Sequence, residues 1–412
     1  MSGGDFTEIT DLACPRLPQE FRSLDERIAK HDPYAALAPE RLLAEASEQT
    51  GLEDFGSDWF RTPLEVLCRS LLTEGNLSPL GALSQRWQLV RLLSARLRVE
   101  QLIAKYPEIE RQQADPPIVI AGLPRSGTTF LHGLLCADPG LRALSDEESE
   151  GPADSGGGSG QGGHASNAYA RVLSEAIPLM RRMIEVSENS ATEEIRLLAL
   201  SASSVLFETQ VPLPGYRDWC LANDQTPAYH YLARVLRVLR WQRGGGPWAL
   251  KTMQHIEHLP ALNAAFPSAT IIVTHRDPVA VIPSISTMLA YGQRMSTRTV
   301  DPVRTAGYWT ERILGMTDRC LDDHDALDLD RVIDVPFARI RDDAAGLIEE
   351  VYAKAGISLS AAARQAMHQL QLRRHPHRHG RVRYNPAALG LDLDRIRERS
   401  ARYRERFGVP AE

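Results

Sequence analysis

The stretch IVIAGLPRSGTTFLHGLL, residues 118–135, decides the fold. Its opening run is fully apolar, as expected of a strand buried on both faces of a parallel sheet. A glycine-rich turn follows, and the chain continues as a helix. Gly122 and Gly127 have the spacing of the nucleotide-binding GxxxxGK[ST] loop, but Thr128 stands where that pattern has its lysine. A strand that delivers such a turn to a helix N-terminus aims several backbone N–H groups and the positive end of the helix dipole at one point. That makes an anion seat. Thr128 and Thr129 offer hydroxyls and Arg125 the one cation of the turn, which suits a group less charged than a triphosphate. A plain strand-to-helix turn would look much the same.

Outward from this turn, the period of the apolar residues changes. Residues 20–112 repeat at helical spacing, clearest in LSPLGALSQRWQLVRLLSARLRVEQLIAKYPEI, where Ser78 and Pro79 make a helix start. Asp115-Pro116-Pro117 breaks that pattern. Downstream, WALKTM, ATIIVTHRDP and RVIDVPF are further strand candidates, the last followed by a helical stretch over 338–355. Strands alternating with helices imply a doubly wound, mainly parallel sheet. The expected organisation is an N-terminal helical region over 1–114, an α/β core over 115–385 and a C-terminal helix over 386–412. The core carries a helical insertion at 168–243, closed by Gly244-Gly245-Gly246-Pro247. GPADSGGGSGQGGHASN, residues 151–167, is too polar and glycine-rich to pack and reads as a flexible loop.

Composition narrows the function classes. The chain has 412 residues, 43% of them hydrophobic, and a formal charge of -6. This argues against a protein-wide footprint for nucleic acid or an anionic membrane, so an anion site must be local. No stretch approaches the ~20 apolar residues of a membrane span, and the N-terminus lacks the basic and apolar regions of a signal peptide. Cytoplasmic location is the expectation. The five cysteines are scattered without a CxxC pair, which suits reduced thiols better than disulfides or zinc.

PRSGTTFLH resembles the 5′-phosphosulfate loop of the PAPS-dependent sulfotransferases, particularly bacterial members that carry PRSGTT. PAPS is 3′-phosphoadenosine 5′-phosphosulfate. The resemblance, which runs from about residue 115 to 410, implies a P-loop-like three-layer α/β fold and sulfonate transfer without a metal. Ser126, Gly127, Thr128 and Thr129 would seat the 5′-phosphosulfate, and Arg125 would stabilise the bridging oxygen as the sulfonate leaves. The lysine is then absent because the triphosphate is.

In the same family a strand ends in an arginine, and a serine eight residues later joins it on the donor's 3′-phosphate. THRDPVAVIPS supplies Arg276 and Ser284 at that spacing. An arginine at the carboxyl end of a parallel strand points into the crevice where such sheets bind ligands, and its fork can grip phosphate through two bonds. An arginine paired with Asp277 or another carboxylate would read identically.

WALKTMQH resembles the family segment in which a lysine and a histidine flank the reaction centre. Lys251 would stabilise the sulfonate oxygens, and His255 could be the base. Several bacterial relatives use a glutamate after the first helix instead, and ALSDEESEGP offers Glu147 and Glu148. The family also places a late basic loop over the nucleotide. LRRHPHRHGRVRY, residues 372–384, gathers five arginines and three histidines. Arg378, Arg381 and Arg383 are candidates to close over the 3′-phosphate, with Gly380 allowing close approach. The HxHxH spacing lacks an accompanying carboxylate or cysteine cluster, so no metal is expected.

The acceptor would be a small-molecule, lipid or sugar hydroxyl. Its class and the oligomeric state are not legible. Two other readings keep the same loop: a nucleotide-dependent kinase with a degenerate P-loop, which needs a strand-end aspartate for magnesium, and a non-catalytic nucleotide-binding protein that kept only the donor site.

Overall fold

The period switch at Asp115 is where the chain enters its sheet. The computed structural model describes residues 6–112, 115–153, 175–184, 191–373 and 380–412. Seven strands occur there: β1 (Phe6–Glu8), β2 (Ile118–Gly122), β3 (Arg142–Ala143), β4 (Trp248–Thr252), β5 (Thr270–His275), β6 (Val332–Pro336) and β7 (Arg381–Arg383). Five of them form one sheet in the order β3-β4-β2-β5-β6, with every neighbouring pair parallel. The chain first steps from β2 toward the β3 edge, then crosses to β5 on the other side. The carboxyl end of β2 therefore sits at the switch point where open parallel sheets form their ligand crevice.

Every residue of β2, β4 and β5 is buried, because helices cover both faces of the sheet. The two-residue period of the strands divides their side chains between two cores. Ile118, Ile120, Ala249 and Ile272 pack with the helices Thr128–Cys136, Ala344–Ala355 and Ala361–Arg373. Val119, Ala121, Leu250, Ile271 and Val273 face the larger cluster, which also takes in Leu42, Phe60, Leu64 and Leu67 of the N-terminal helices. The result is a three-layer α/β fold with a central parallel sheet, as expected from the strand and helix pattern. The long helix Pro79–Lys105 starts at the expected Ser78, whose hydroxyl accepts the Gly81 N–H at 3.0 Å.

Three features were not read from the sequence. β3 has only two residues. β1 and β7 form a separate parallel pair that joins residues 6–8 to 381–383. The C-terminal stretch, expected as a single helix, is a 3-10 turn (Ala387–Leu389) and two short helices, Leu393–Arg399 and Ala401–Arg406. They are divided at Ser400, whose hydroxyl bonds back to the Ile396 carbonyl at 2.9 Å. Within the expected insertion the chain forms short helices at Ile195–Ala199, Leu206–Gln210 and Pro214–Ala222, then the longer Thr226–Arg243. Residues 154–174 and 185–190, which include most of the glycine-rich stretch, lie outside the described residues.

Candidate functional site

The turn after β2 is built by one close approach and two left-handed residues. A Cβ on Gly122 would come within 1.9 Å of Thr274 Oγ1 on β5, so only glycine fits there. Arg125 and Gly127 take φ of +66° and +85°. The left-handed backbone suits glycine but costs arginine about 1 kcal/mol, a strain that clusters at functional turns. Ser126 is wholly buried. Its hydroxyl donates to the Leu123 carbonyl (2.6 Å) and accepts from Thr274 Oγ1 (2.7 Å), so it braces the turn from beneath.

Arg125 and Ser284, distant in sequence, meet in space. Arg125 Nε donates to Ser284 Oγ at 3.0 Å, and Nη1 donates to the Met183 carbonyl at 2.6 Å. Ser284 lies on the helix Pro278–Gln293, which starts directly after β5 with Asp277 as its N-cap. Arg276 reaches the same turn, its Nη1 donating to the Arg125 carbonyl at 2.6 Å. The guanidinium stacks over the Phe337 ring at 4.1 Å. Its remaining edge is taken by a carboxylate, as the bland reading of an arginine here required. That partner is Glu412 and not Asp277, with Nε and Nη2 donating to the two Oε atoms at 2.8 and 2.7 Å.

Lys251, on β4 beside β2, extends its Nζ to Thr129 Oγ1 at 3.4 Å, at the start of the helix that follows the turn. Arg125, Lys251 and Arg276 thus converge from three adjacent strands at the carboxyl ends of the sheet. Lys251 is buried and ion-paired with Glu193, a residue the sequence analysis did not single out. The segment that carries Glu193 is held beside β3 by the Thr192 N–H to Leu144 carbonyl bond (2.9 Å) and an antiparallel bridge between Ser145 and Ala191. Glu193 remains 36% exposed, while its neighbour Glu194 is completely buried.

Glu194 accepts the Lys251 backbone N–H at 2.9 Å and meets His255 Nε2 at 2.5 Å. Burial pushes its carboxyl pKa up, but the His255 bond and charge and the backbone N–H groups outweigh this and hold it below the usual glutamate value. The other ring nitrogen of His255 pairs with Tyr229 OH at 3.0 Å. His255 is thus buried with both ring nitrogens paired. Glu148 is buried as well, caps its own short helix through Ser145 and pairs with Arg142. Glu147 projects outward, 3.8 Å from Arg243. A pair of carboxylates just ahead of the helix Ile195–Ala199 was the sequence signal for Glu193 and Glu194.

The late basic segment is only partly in view, since Arg378 lies outside the described residues. Gly380 takes φ of +86°, and Arg381 and Arg383 lie on the exposed side of β7, their guanidinium groups 5.7 and 5.6 Å from the Phe6 ring. Val382, between them, packs with Ile9, Met183 and Tyr291. Met183 also supplies the carbonyl that receives Arg125, so the β1–β7 pair borders the arginine turn. Among the described residues no group of three or more His, Cys, Asp or Glu is arranged to hold a metal, and no helix is long and apolar enough to cross a membrane.

The model of the sulfotransferase family matches residues 116–361. The solved structure of sulfotransferase STF1 from Mycobacterium tuberculosis superposes with a TM-score of 0.73 at 27% identity, covering 88% of this chain and 98% of that one. Sulfotransferase STF9 from Mycobacterium avium gives a TM-score of 0.77 at 22% identity, over 90% and 97% of the two chains, and speaks for the fold alone. Among curated proteins none matches significantly.

Proposed function

The chain belongs to the sulfotransferase family, and from that premise we propose that it transfers a sulfonate from PAPS to the hydroxyl of a small-molecule, lipid or sugar acceptor. The observation that carries this reading is the convergence of Arg125, Lys251 and Arg276 on one turn that lacks the P-loop lysine. Arg276, with Ser284, takes the donor's 3′-phosphate. The N–H groups of Gly127, Thr128 and Thr129 hold the 5′-phosphosulfate, while Ser126 keeps the turn in shape.

Glu193 serves as the base in this scheme, because it is the partly exposed carboxylate touching Lys251. The acceptor oxygen attacks sulfur and forms a new O–S bond, and its proton passes to the Glu193 carboxylate. The bridging S–O bond breaks in line, and its electron pair leaves with the 5′-phosphate of adenosine 3′,5′-bisphosphate. Lys251 and Arg125 offset the negative charge that moves onto the sulfonate and bridging oxygens. The buried Glu194–His255–Tyr229 chain acts from behind, fixing the backbone from which Glu193 projects.

The kinase alternative fares worse. Asp334 is the one acidic residue in the five-stranded sheet, and its Oδ1 accepts from both His275 Nε2 (2.9 Å) and His324 Nε2 (3.0 Å). It is spent on histidines. To test the proposal, the melting temperature is followed during titration with adenosine 3′,5′-bisphosphate and ATP, each with and without magnesium. Metal-independent stabilisation by the bisphosphate is expected, and a preference for Mg-ATP would refute the reading. Turnover of PAPS then separates an enzyme from a protein that kept only the donor site.

A further inference from the structure

We propose that Glu412 is a built-in competitor for the phosphate seat at Arg276, so that a donor binds by displacing it; this rests on Arg276 being the 3′-phosphate ligand. The Glu412 side chain meets the guanidinium through two near-parallel bonds of 2.8 and 2.7 Å, the same two-pronged geometry that the fork offers to phosphate oxygens. A carboxylate here is a stand-in for two oxygens of the ligand.

The contact is constructed by the tail. The Glu412 N–H donates to Asp277 Oδ2 at 3.0 Å, and the other oxygen of Asp277 caps the Pro278–Gln293 helix through the Val279 N–H at 3.0 Å. Just upstream, Phe407 and Val409 are buried in the larger core. The tail therefore delivers Glu412 to the helix start that carries Ser284, at the mouth of the crevice.

The seat is also built to change partners. The third donor of Arg276 is fixed on the Arg125 carbonyl and its face on Phe337. The guanidinium thus stays aimed at the crevice whichever anion takes its outer edge. Side-chain exposures of 22% for Arg276 and 32% for Glu412 leave the pair open to water, where such bonds are weak and exchange readily. A phosphate monoester carries more charge than a carboxylate and more acceptor oxygens, so it displaces Glu412. A nucleotide with a bare 3′-hydroxyl does not.

Calorimetric titration of the full chain with adenosine 3′,5′-bisphosphate and with adenosine 5′-monophosphate tests this in wild type, Glu412→Gln, Arg276→Ala and the double variant. Glu412→Gln is expected to bind the bisphosphate about fivefold more tightly, the affinity equivalent of one exposed ion pair. The monophosphate is unaffected, and the gain vanishes when Arg276 is alanine. Glu412→Ala gives the same gain by removing the side-chain carboxylate that meets Arg276. If Glu412→Gln leaves bisphosphate affinity unchanged or lower while Arg276→Ala weakens it, the competitor is overturned and the donor site stands. An equal gain for the monophosphate also overturns it, since the tail would then merely obstruct the crevice. Unchanged affinity in Arg276→Ala removes that residue from the donor site and sinks both readings.

Discussion

Arg312 and Arg276 are the same side chain put to opposite uses in two regions of the molecule. Arg312, on the helix Pro302–Asp323, is buried between two carboxylates. It donates to Glu208 through Nε (2.7 Å) and Nη2 (2.9 Å), and to Glu257 from Nη2 (2.8 Å) and Nη1. Burial works against its charge, but Glu208 and Glu257 hold it protonated well above the ordinary arginine value. Arg276 stands at the crevice edge with one replaceable carboxylate. One guanidinium is sealed and saturated with partners, whereas the other is held on two sides and meets a partly exposed carboxylate on the third, as its proposed ligand role requires.

The contrast breaks if stability and donor binding do not separate along it. Arg312→Ala leaves two buried carboxylates uncompensated and should cost about 4 kcal/mol of folding stability, read from the denaturant midpoint. Next in size, Glu193→Gln removes the proposed base and should lower the single-turnover rate of sulfonate transfer about 10²-fold with little change in donor affinity. A rate near wild type would return the search for the base to other residues. Arg276→Ala should weaken adenosine 3′,5′-bisphosphate by about 2 kcal/mol, while the denaturant midpoint moves by no more than about 0.5 kcal/mol in stability. If instead Arg276→Ala unfolds the protein and Arg312→Ala weakens only the ligand, the assignment of roles is inverted.

A smaller effect sharpens the comparison through pH. Asp334 is pushed up by burial, but the bonds and charges of His275 and His324 outweigh this and depress its carboxyl well below 3.8. The bond to Asp334 raises the His324 pKa above 6.5, although burial opposes it. A depressed carboxyl contributes stability above its unfolded pKa and loses it as pH falls through the folded value. A raised histidine contributes below its unfolded pKa and loses it as pH rises through the folded value. Asp334→Asn should therefore cost about 1 kcal/mol near pH 6, with the gap narrowing toward both extremes in urea melts. A pH-independent gap would show that packing, and not charge, holds this cluster.

The sheet was legible because β2, β4 and β5 are buried, mainly apolar runs and β6 is interrupted only at Asp334, each bounded by proline, glycine or polar residues, a pattern local enough to read in one dimension. β3 was not, since Arg142 and Ala143 carry no such run and join the sheet only by pairing with β4. β1 and β7 were missed for the opposite reason, as their pairing spans nearly the whole chain and neither strand has a periodic signal. Around the proposed site, motif spacing singled out Arg125, Lys251, Arg276 and Ser284, which the fold gathers at the turn after β2 because strand ends and helix starts fix where those residues sit. It could not assign the acids and bases. His255 and Glu194 become a sealed pair only through the fold, and Glu193 is brought to Lys251 from 58 residues upstream. Sequence told which residues could be charged, and the fold decides which of them are sealed and which stay open.

The positive φ of Arg125 carries one more implication. At that position glycine is the conformationally favoured residue, so Arg125→Gly would release about 1 kcal/mol of backbone strain while giving up the bonds to Ser284 and the Met183 carbonyl. The two effects oppose each other, and a screen that rewards thermal robustness alone would therefore pass this change even where it silences transfer.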